Sequence, residues 1–315
     1  MRLLVCLVLF AGSALAQDKP EEVLSAVVGI EAKIHPGARS SATLGPQRSG
    51  NGVLIRDGYV LTIGYLVMEA EAIQVTGATG TVMPATLAGY DHATGFGLLK
   101  LTGSVGGKPM ALGESARLQE REPVLVAGAG GPGDVAVVRV ASRRAFVGSW
   151  EYLLDSAIYT YPAVRGWSGA PLIGAKGELL GIGSLIVPDA GGPGTQSPGN
   201  MFVPVDLLRP ILQQLITNGS RSEPQRPWLG VNTDELRGHL FITRVSREGP
   251  ADAAGLRPGD IVLSVGGAEV RSLDEFYRKV WARGAAGVEV PLKVLQGAQV
   301  RDLTVRSIDR NAYFR

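Results

Sequence analysis

The sequence is poor in the side chains that most protein chemistry uses. It holds one cysteine, Cys6, and three histidines, His35, His92 and His239, in 315 residues. No two of those histidines stand at ligand spacing, so no metal is expected and no other cofactor is called for. Charge is sparse and balanced, with 31 basic against 29 acidic residues and a formal net charge of +2. No long basic run interrupts that balance. Nucleic acid is therefore not an expected partner, because phosphate-backbone binding needs a clustered positive face. The apolar run Leu3 to Phe10 falls short of the ~20 residues a membrane-spanning helix requires.

That run has another use. Met1-Arg2 supplies a minimal positive start, Leu3 to Phe10 the apolar segment, and Ala14-Leu15-Ala16 an A-x-A cleavage site before Gln17. Residues 1–16 thus read as an export signal. The mature chain is expected outside the cytoplasm, in the periplasm if the source is Gram-negative, with no stable membrane anchor after cleavage. Cys6 leaves with the signal, which excludes disulfides and thiol catalysis from the mature protein.

What is abundant is glycine, at 43 residues, with 19 prolines and only 6% aromatics. The composition points to a mainly β, turn-rich protein. Short apolar runs at Val27 to Ile30, Val53 to Ile55, Tyr59 to Thr62, Ile73 to Val75, Met83 to Ala88 and Leu98 to Leu101 read as strands without intervening helices, the pattern of a β-barrel. Arg56-Asp57-Gly58 is a hairpin turn. A second set follows at Val124 to Ala127, Val135 to Ala141, Ala157 to Tyr161, Pro171 to Ile173, Leu179 to Leu185 and Met201 to Val205. From Asp206 to about Thr217 the apolar spacing predicts a helix. Residues 218–226 are polar, with Gly and Pro, and read as a linker between a domain at 17–217 and another at 227–309, leaving a tail at 310–315.

Two glycine-bearing motifs need weighing. Gly128-Ala129-Gly130-Gly131-Pro132-Gly133 has the spacing of a dinucleotide phosphate loop. A β-branched run from Val135 follows it where such a loop needs a helix N-terminus, so a hairpin is expected there instead. In Arg165-Gly166-Trp167-Ser168-Gly169-Ala170-Pro171-Leu172, a serine sits in a turn between glycines before a strand. Such a serine is a candidate nucleophile, but only beside a base that can take its proton.

Taken together, Gly50 to Ile55, Gly58 to Thr62, Leu98 to Lys100, Gly166 to Leu172, Gly181-Ile182, Phe202 to Asp206 and the Ala254-Gly255-Leu256-Arg257-Pro258-Gly259-Asp260 segment resemble the HtrA/Deg family of periplasmic serine proteases. The resemblance implies a trypsin/chymotrypsin-like double antiparallel β-barrel plus a C-terminal PDZ domain. It also implies that the amides of Gly166 and Ser168 form an oxyanion hole. Against the family pattern, Tyr65 stands where the histidine base belongs, in Leu61-Thr62-Ile63-Gly64-Tyr65-Leu66-Val67. Gly95 stands where the aspartate belongs, in Thr94-Gly95-Phe96-Gly97-Leu98-Leu99-Lys100. Ser168 alone remains. His92, beside Asp91, is the one histidine near the vacated aspartate position, and the simpler reading makes it a surface residue.

In the same resemblance, the loop Trp228-Leu229-Gly230-Val231 offers backbone amides to a peptide C-terminal carboxylate. The peptide would lie along the helix that begins after Ser272, with Ile242, Phe276 and Val280 near its last side chain. Polypeptide or peptide C-termini are thus the expected partners, in envelope protein quality control or scaffolding, and proteolysis is expected to be lost. The alternatives are an active serine endopeptidase using Ser168 with a non-standard base, and a structural partner subunit of an active protease. Relatives often trimerise through aromatic residues near the mature N-terminus. Residues 17–26 have none, which leaves a homo-oligomer open and a trimer in doubt.

Overall fold

Alternation along the strands decides how the first barrel closes. In β1 (Val27–Ile34), Ile30, Ala32 and Ile34 are buried while Glu31 and Lys33 face out, the period-two pattern of a sheet with one dry face. With β2 (Gln47–Arg56), β3 (Tyr59–Ile63), β4 (Ala70–Thr76), β5 (Val82–Tyr90) and β6 (Phe96–Leu101) it forms a closed barrel in the order β1-β2-β3-β6-β5-β4. The chain is described by a computed structural model over residues 20–314; the export signal expected at residues 1–16 lies outside them.

A second closed barrel, in the order β10-β11-β12-β9-β8-β7, is built from β7 (Pro123–Ala127), β8 (Val135–Gly148), β9 (Tyr152–Tyr161), β10 (Pro171–Ile173), β11 (Leu179–Val187) and β12 (Gly199–Pro204). One apolar cluster bridges the barrels, joining Ile30, Leu61 and Phe96 of the first to Tyr159, Ile182 and Val203 of the second. β7 and β8 pair antiparallel across Gly128 to Asp134, the hairpin expected there. β8 and β9 are longer than the sequence reading. That reading ends β8 at Ala141 and begins β9 at Ala157, whereas the pairing runs on to Gly148 opposite Tyr152. The extra length carries a hairpin tip, Ser149 to Glu151, out of the barrel.

The helix predicted from Asp206 is interrupted. Val205–Leu207 forms one 3-10 turn, and the α-helix runs only from Leu212 to Asn218. Pro210 lies between them; it has no N–H to donate and disfavours a helical residue before it. Leu208, Ile211 and Leu215 still reach the core.

The third unit is an antiparallel sheet, β13-β14-β15-β17-β18 with β16 on β15. Its strands are β13 (Val231–Leu236), β14 (His239–Val245), β15 (Ile261–Val265), β16 (Ala268–Glu269), β17 (Glu289–Gln296) and β18 (Gln299–Arg306). The helix Leu273–Trp281 packs on it, capped by the Ser272 hydroxyl, which accepts the Glu275 N–H at 3.2 Å. That capping bond supplies one of the acceptors a helix start lacks. Residues 218–226 do not hang free. Arg221 grips the Asp91 carboxylate at 2.7 and 2.8 Å, and Arg226 lies 4.3 Å over the Trp281 ring. Of the tail read at 310–315, the described residues 310–314 are also built in: Tyr313 and Phe314 pack on Trp228 at 4.7 and 6.1 Å between ring centres.

Candidate functional site

Ser168 sits at the seam of the two barrels, half-buried, in the loop before β10. Asn51 of the first barrel fixes that loop. Its N–H donates to the Ser168 carbonyl at 2.8 Å, and its side-chain amide donates to the Gly166 carbonyl at 2.7 Å. The approach is close enough that Gly169, with φ +73°, would place a Cβ 1.9 Å from the Asn51 carbonyl. Only glycine fits. The amides of Gly166 and Ser168, the pair expected to hold an oxyanion, donate to no acceptor among the described residues.

Tyr65 comes to this loop from the turn after β3. Its hydroxyl lies 2.7 Å from Ser168 Oγ and donates to the Ser184 carbonyl at 2.7 Å. A phenol has one hydrogen, and the Ser184 carbonyl can only accept. The Tyr65 hydrogen is therefore committed there, and Ser168 donates its own proton to the phenol oxygen. Burial pushes the Tyr65 hydroxyl up to about 12, against the smaller opposing effect of Ser168. At pH 7 that leaves about one tyrosinate in 10⁵. The hydrogen bond to Ser168 holds the serine hydroxyl in place without drawing its proton away.

At Gly95, where the resemblance places the aspartate, no carboxylate stands. Gly95 has φ +81°, and a Cβ there would meet Tyr152 Oη at 3.3 Å and Ile63 Cδ1 at 3.5 Å. The nearest carboxylate on the same loop, Asp91, is fully engaged. Its Oδ1 and Oδ2 take Arg221, and Oδ2 also takes the Thr94 N–H and hydroxyl at 2.9 and 2.6 Å. Burial alone would raise the Asp91 carboxyl, but Arg221 and Thr94 outweigh it and hold it below its usual value. His92 departs from the surface placement expected for it. It packs edge-on to Tyr90 at 4.3 Å, its Nδ1 is buried without a partner, and burial holds its imidazole well below the usual histidine value. Among the described residues Tyr65 is the only side chain hydrogen-bonded to Ser168 Oγ; His35 and His239 are exposed elsewhere.

The residues expected to bind a peptide lie together, and a side chain of the chain itself meets their amides. Leu229, Val231, Ile242, Phe276 and Val280 are buried in one cluster, and Gly230 turns with φ +83°. Trp228 departs from its assigned role: its N–H is spent on the Ile308 carbonyl at 3.1 Å, so the converging amides are those of Leu229, Gly230 and Val231. All three donate to one side chain, the Glu151 carboxylate, at 2.9, 2.8 and 3.0 Å. Glu151 is the last residue of the β8–β9 hairpin tip. Burial pushes its carboxyl up, opposed by the three amides and by Arg310.

Sequence reasoning missed Glu151, Tyr277, Asn51 and Arg221. The run Phe146-Val147, then Gly148-Ser149, then Tyr152-Leu153-Leu154 carries a hairpin pattern that could have located the tip. Nothing local points to the amides 78 residues away that it meets.

Comparison with known proteins agrees with this architecture. Residues 50–182 match the trypsin-like peptidase domain and residues 227–306 the PDZ domain. A probable periplasmic serine endoprotease DegP-like from Halomonas elongata is 31% identical over 304 residues, covering 88% of this chain and 60% of that protein. A putative serine protease HhoB from Synechocystis sp. is 29% identical over 290 residues, covering 83% of this chain and 67% of that protein. Over the first relatives, the chain spans between 51% and 67% of their length. Among solved structures, the HtrA-type protease AlgW with decapeptide superposes with a TM-score of 0.55 at 25% identity, over 92% of this chain and 97% of that one. The fold is thus a trypsin-like double barrel followed by a PDZ domain. The chain belongs to the HtrA type of serine protease homologues.

Proposed function

We propose that this chain is an exported HtrA-type protein that has lost proteolysis and binds polypeptide C-termini through its PDZ domain, in envelope protein quality control or scaffolding. The observation that carries the reading is the hydrogen-bond direction at Ser168. A neutral phenol whose hydrogen is committed to Ser184 takes the place of the imidazole that would accept the serine proton. Losing triad members costs on the order of 10⁴ to 10⁶ in turnover, because they act as a unit. Export is supported by the signal pattern at residues 1–16 and by relatives named as periplasmic. Among the described residues no helix is long and apolar enough to cross a membrane. Peptide binding is supported by the PDZ match and by the peptide-bearing AlgW structure.

The endopeptidase alternative would require Tyr65 to act as the base, and its raised value argues against that. The test is turnover of casein and a fluorogenic peptide by the purified chain and by Ser168→Ala. Equal background from both is expected. Turnover that vanishes with Ser168→Ala would overturn the reading.

A further inference from the structure

The β8–β9 hairpin packs against the PDZ domain at the residues expected to hold a peptide. Glu151 puts its carboxylate on the amides of Leu229, Gly230 and Val231, the place expected for a peptide's terminal carboxylate. The Ser149 carbonyl accepts the Thr233 N–H of β13 at 2.8 Å, a bond of the kind an added strand makes. On the helix side, the Tyr277 hydroxyl donates to the Gly148 carbonyl at 2.8 Å and accepts the Glu151 N–H at 3.1 Å. Arg278 pairs with Asp155 at 2.5 Å. Leu153 joins Leu229, Phe276 and Val280 in the buried cluster of the groove. Carboxylate, strand edge, helix side and apolar side chain are all supplied by the protein's own hairpin.

Glu151 also stands at φ +57°, a left-handed conformation that a residue with a Cβ adopts at a cost. That strain is kept where it aims the carboxylate at the three amides. Burial pushes the same carboxyl up, so docking the charge opposes its own solvation.

We propose that the hairpin tip Ser149 to Glu151 is an intramolecular ligand of the PDZ groove, and that peptides with a free C-terminal carboxylate bind by displacing it. The proposal rests on the peptide-binding reading given above. A groove that is open only part of the time binds an external ligand with an affinity reduced by that fraction. Glu151→Gln keeps the side chain's shape but removes its charge and turns an N–H pair toward donors.

The test uses the purified chain, Glu151→Gln and Tyr277→Phe, with a fluorescein-labelled octapeptide ending in leucine and its C-terminal amide as probes. Hydrogen exchange at Leu229, Gly230, Val231 and Thr233 is measured in parallel without peptide. Expected are binding at least about tenfold tighter by Glu151→Gln than by wild type, only for the free carboxylate, and exchange at least about tenfold faster at the loop amides. Equal, carboxylate-dependent binding by both proteins would overturn self-occupation and leave peptide binding standing. Faster exchange with no binding to either protein would uphold the docked hairpin and sink the peptide reading. Unchanged exchange at the three loop amides in a folded variant would overturn the proposal. Tyr277→Phe, which removes the Gly148 bond, decides in the same way if Glu151→Gln does not fold.

Discussion

Removing the Tyr65 hydroxyl separates a structural contact from a catalytic one. Tyr65 comes from the first barrel, and Ser168 and Ser184 from the second, so the two 2.7 Å bonds form a polar clip across the seam. Tyr65→Phe takes both bonds away. The Ser184 carbonyl keeps the Trp167 indole N–H at 3.3 Å, and the Ser168 hydroxyl loses its partner. At about 0.5–1.5 kcal/mol for each bond, the variant should lose roughly 1–3 kcal/mol. Ser168→Ala removes one bond and should cost about 0.5–1.5 kcal/mol. Because one contact is shared, the double variant should fall short of the sum by about 1 kcal/mol. The measurement is urea unfolding of the four proteins followed through barrel tryptophans, with the slope against denaturant held common. Fluorophosphonate labelling of Ser168 should stay at background in wild type and Tyr65→Phe alike. Strict additivity would refute the clip. Wild-type labelling that Tyr65→Phe abolishes would refute the whole argument, since Tyr65 would then be a working base.

Three further outcomes follow from the same geometry. Tyr65→His should give no Ser168-dependent turnover above about 10⁻⁴ of an intact triad, because Asp91 is held by Arg221 and leaves the new imidazole without an orienting carboxylate; casein digestion checks this. Arg221→Ala should destabilise the chain by about 3–5 kcal/mol in thermal or urea unfolding at pH 7. Asp91 is held below its usual value, so that loss should shrink as pH falls beneath about 4, where the unfolded chain takes up the proton before the fold does. His92 is held well below its usual value, so its neutral form favours the fold above about pH 6.5 and that advantage is lost on acidification. Stability should decline by up to about 1.4 kcal/mol per pH unit below that point, and His92→Leu should flatten the decline.

The strands that make the barrels were legible because their apolar residues alternate and glycine marks their ends. The meeting of Tyr65 with Ser168 was legible too, since the run around Tyr65 keeps the family's order. What was not legible depends on distance along the chain. Arg221 looked like linker until its partner, 130 residues earlier, was located. The length of β8 was hidden by the pattern breaking at Ser142-Arg143-Arg144, where the register slips and the strand turns its polar side chains toward Ser115, Tyr159 and Asp189. Glu151 reads as an ordinary acidic turn residue, and its meaning comes from amides belonging to another domain.

The segment joining the domains is pinned at Arg221 and again at Arg226, which keeps the β8–β9 tip and the groove on one body. Tethered partners of this kind face each other at an effective concentration in the millimolar range for a short connection. On the displacement proposed above, a free peptide at micromolar abundance would have to out-bind the hairpin by about a thousandfold to take its place. Selectivity among peptides would thereby be set by a threshold that the chain itself imposes, and weak, abundant chain ends would be turned away.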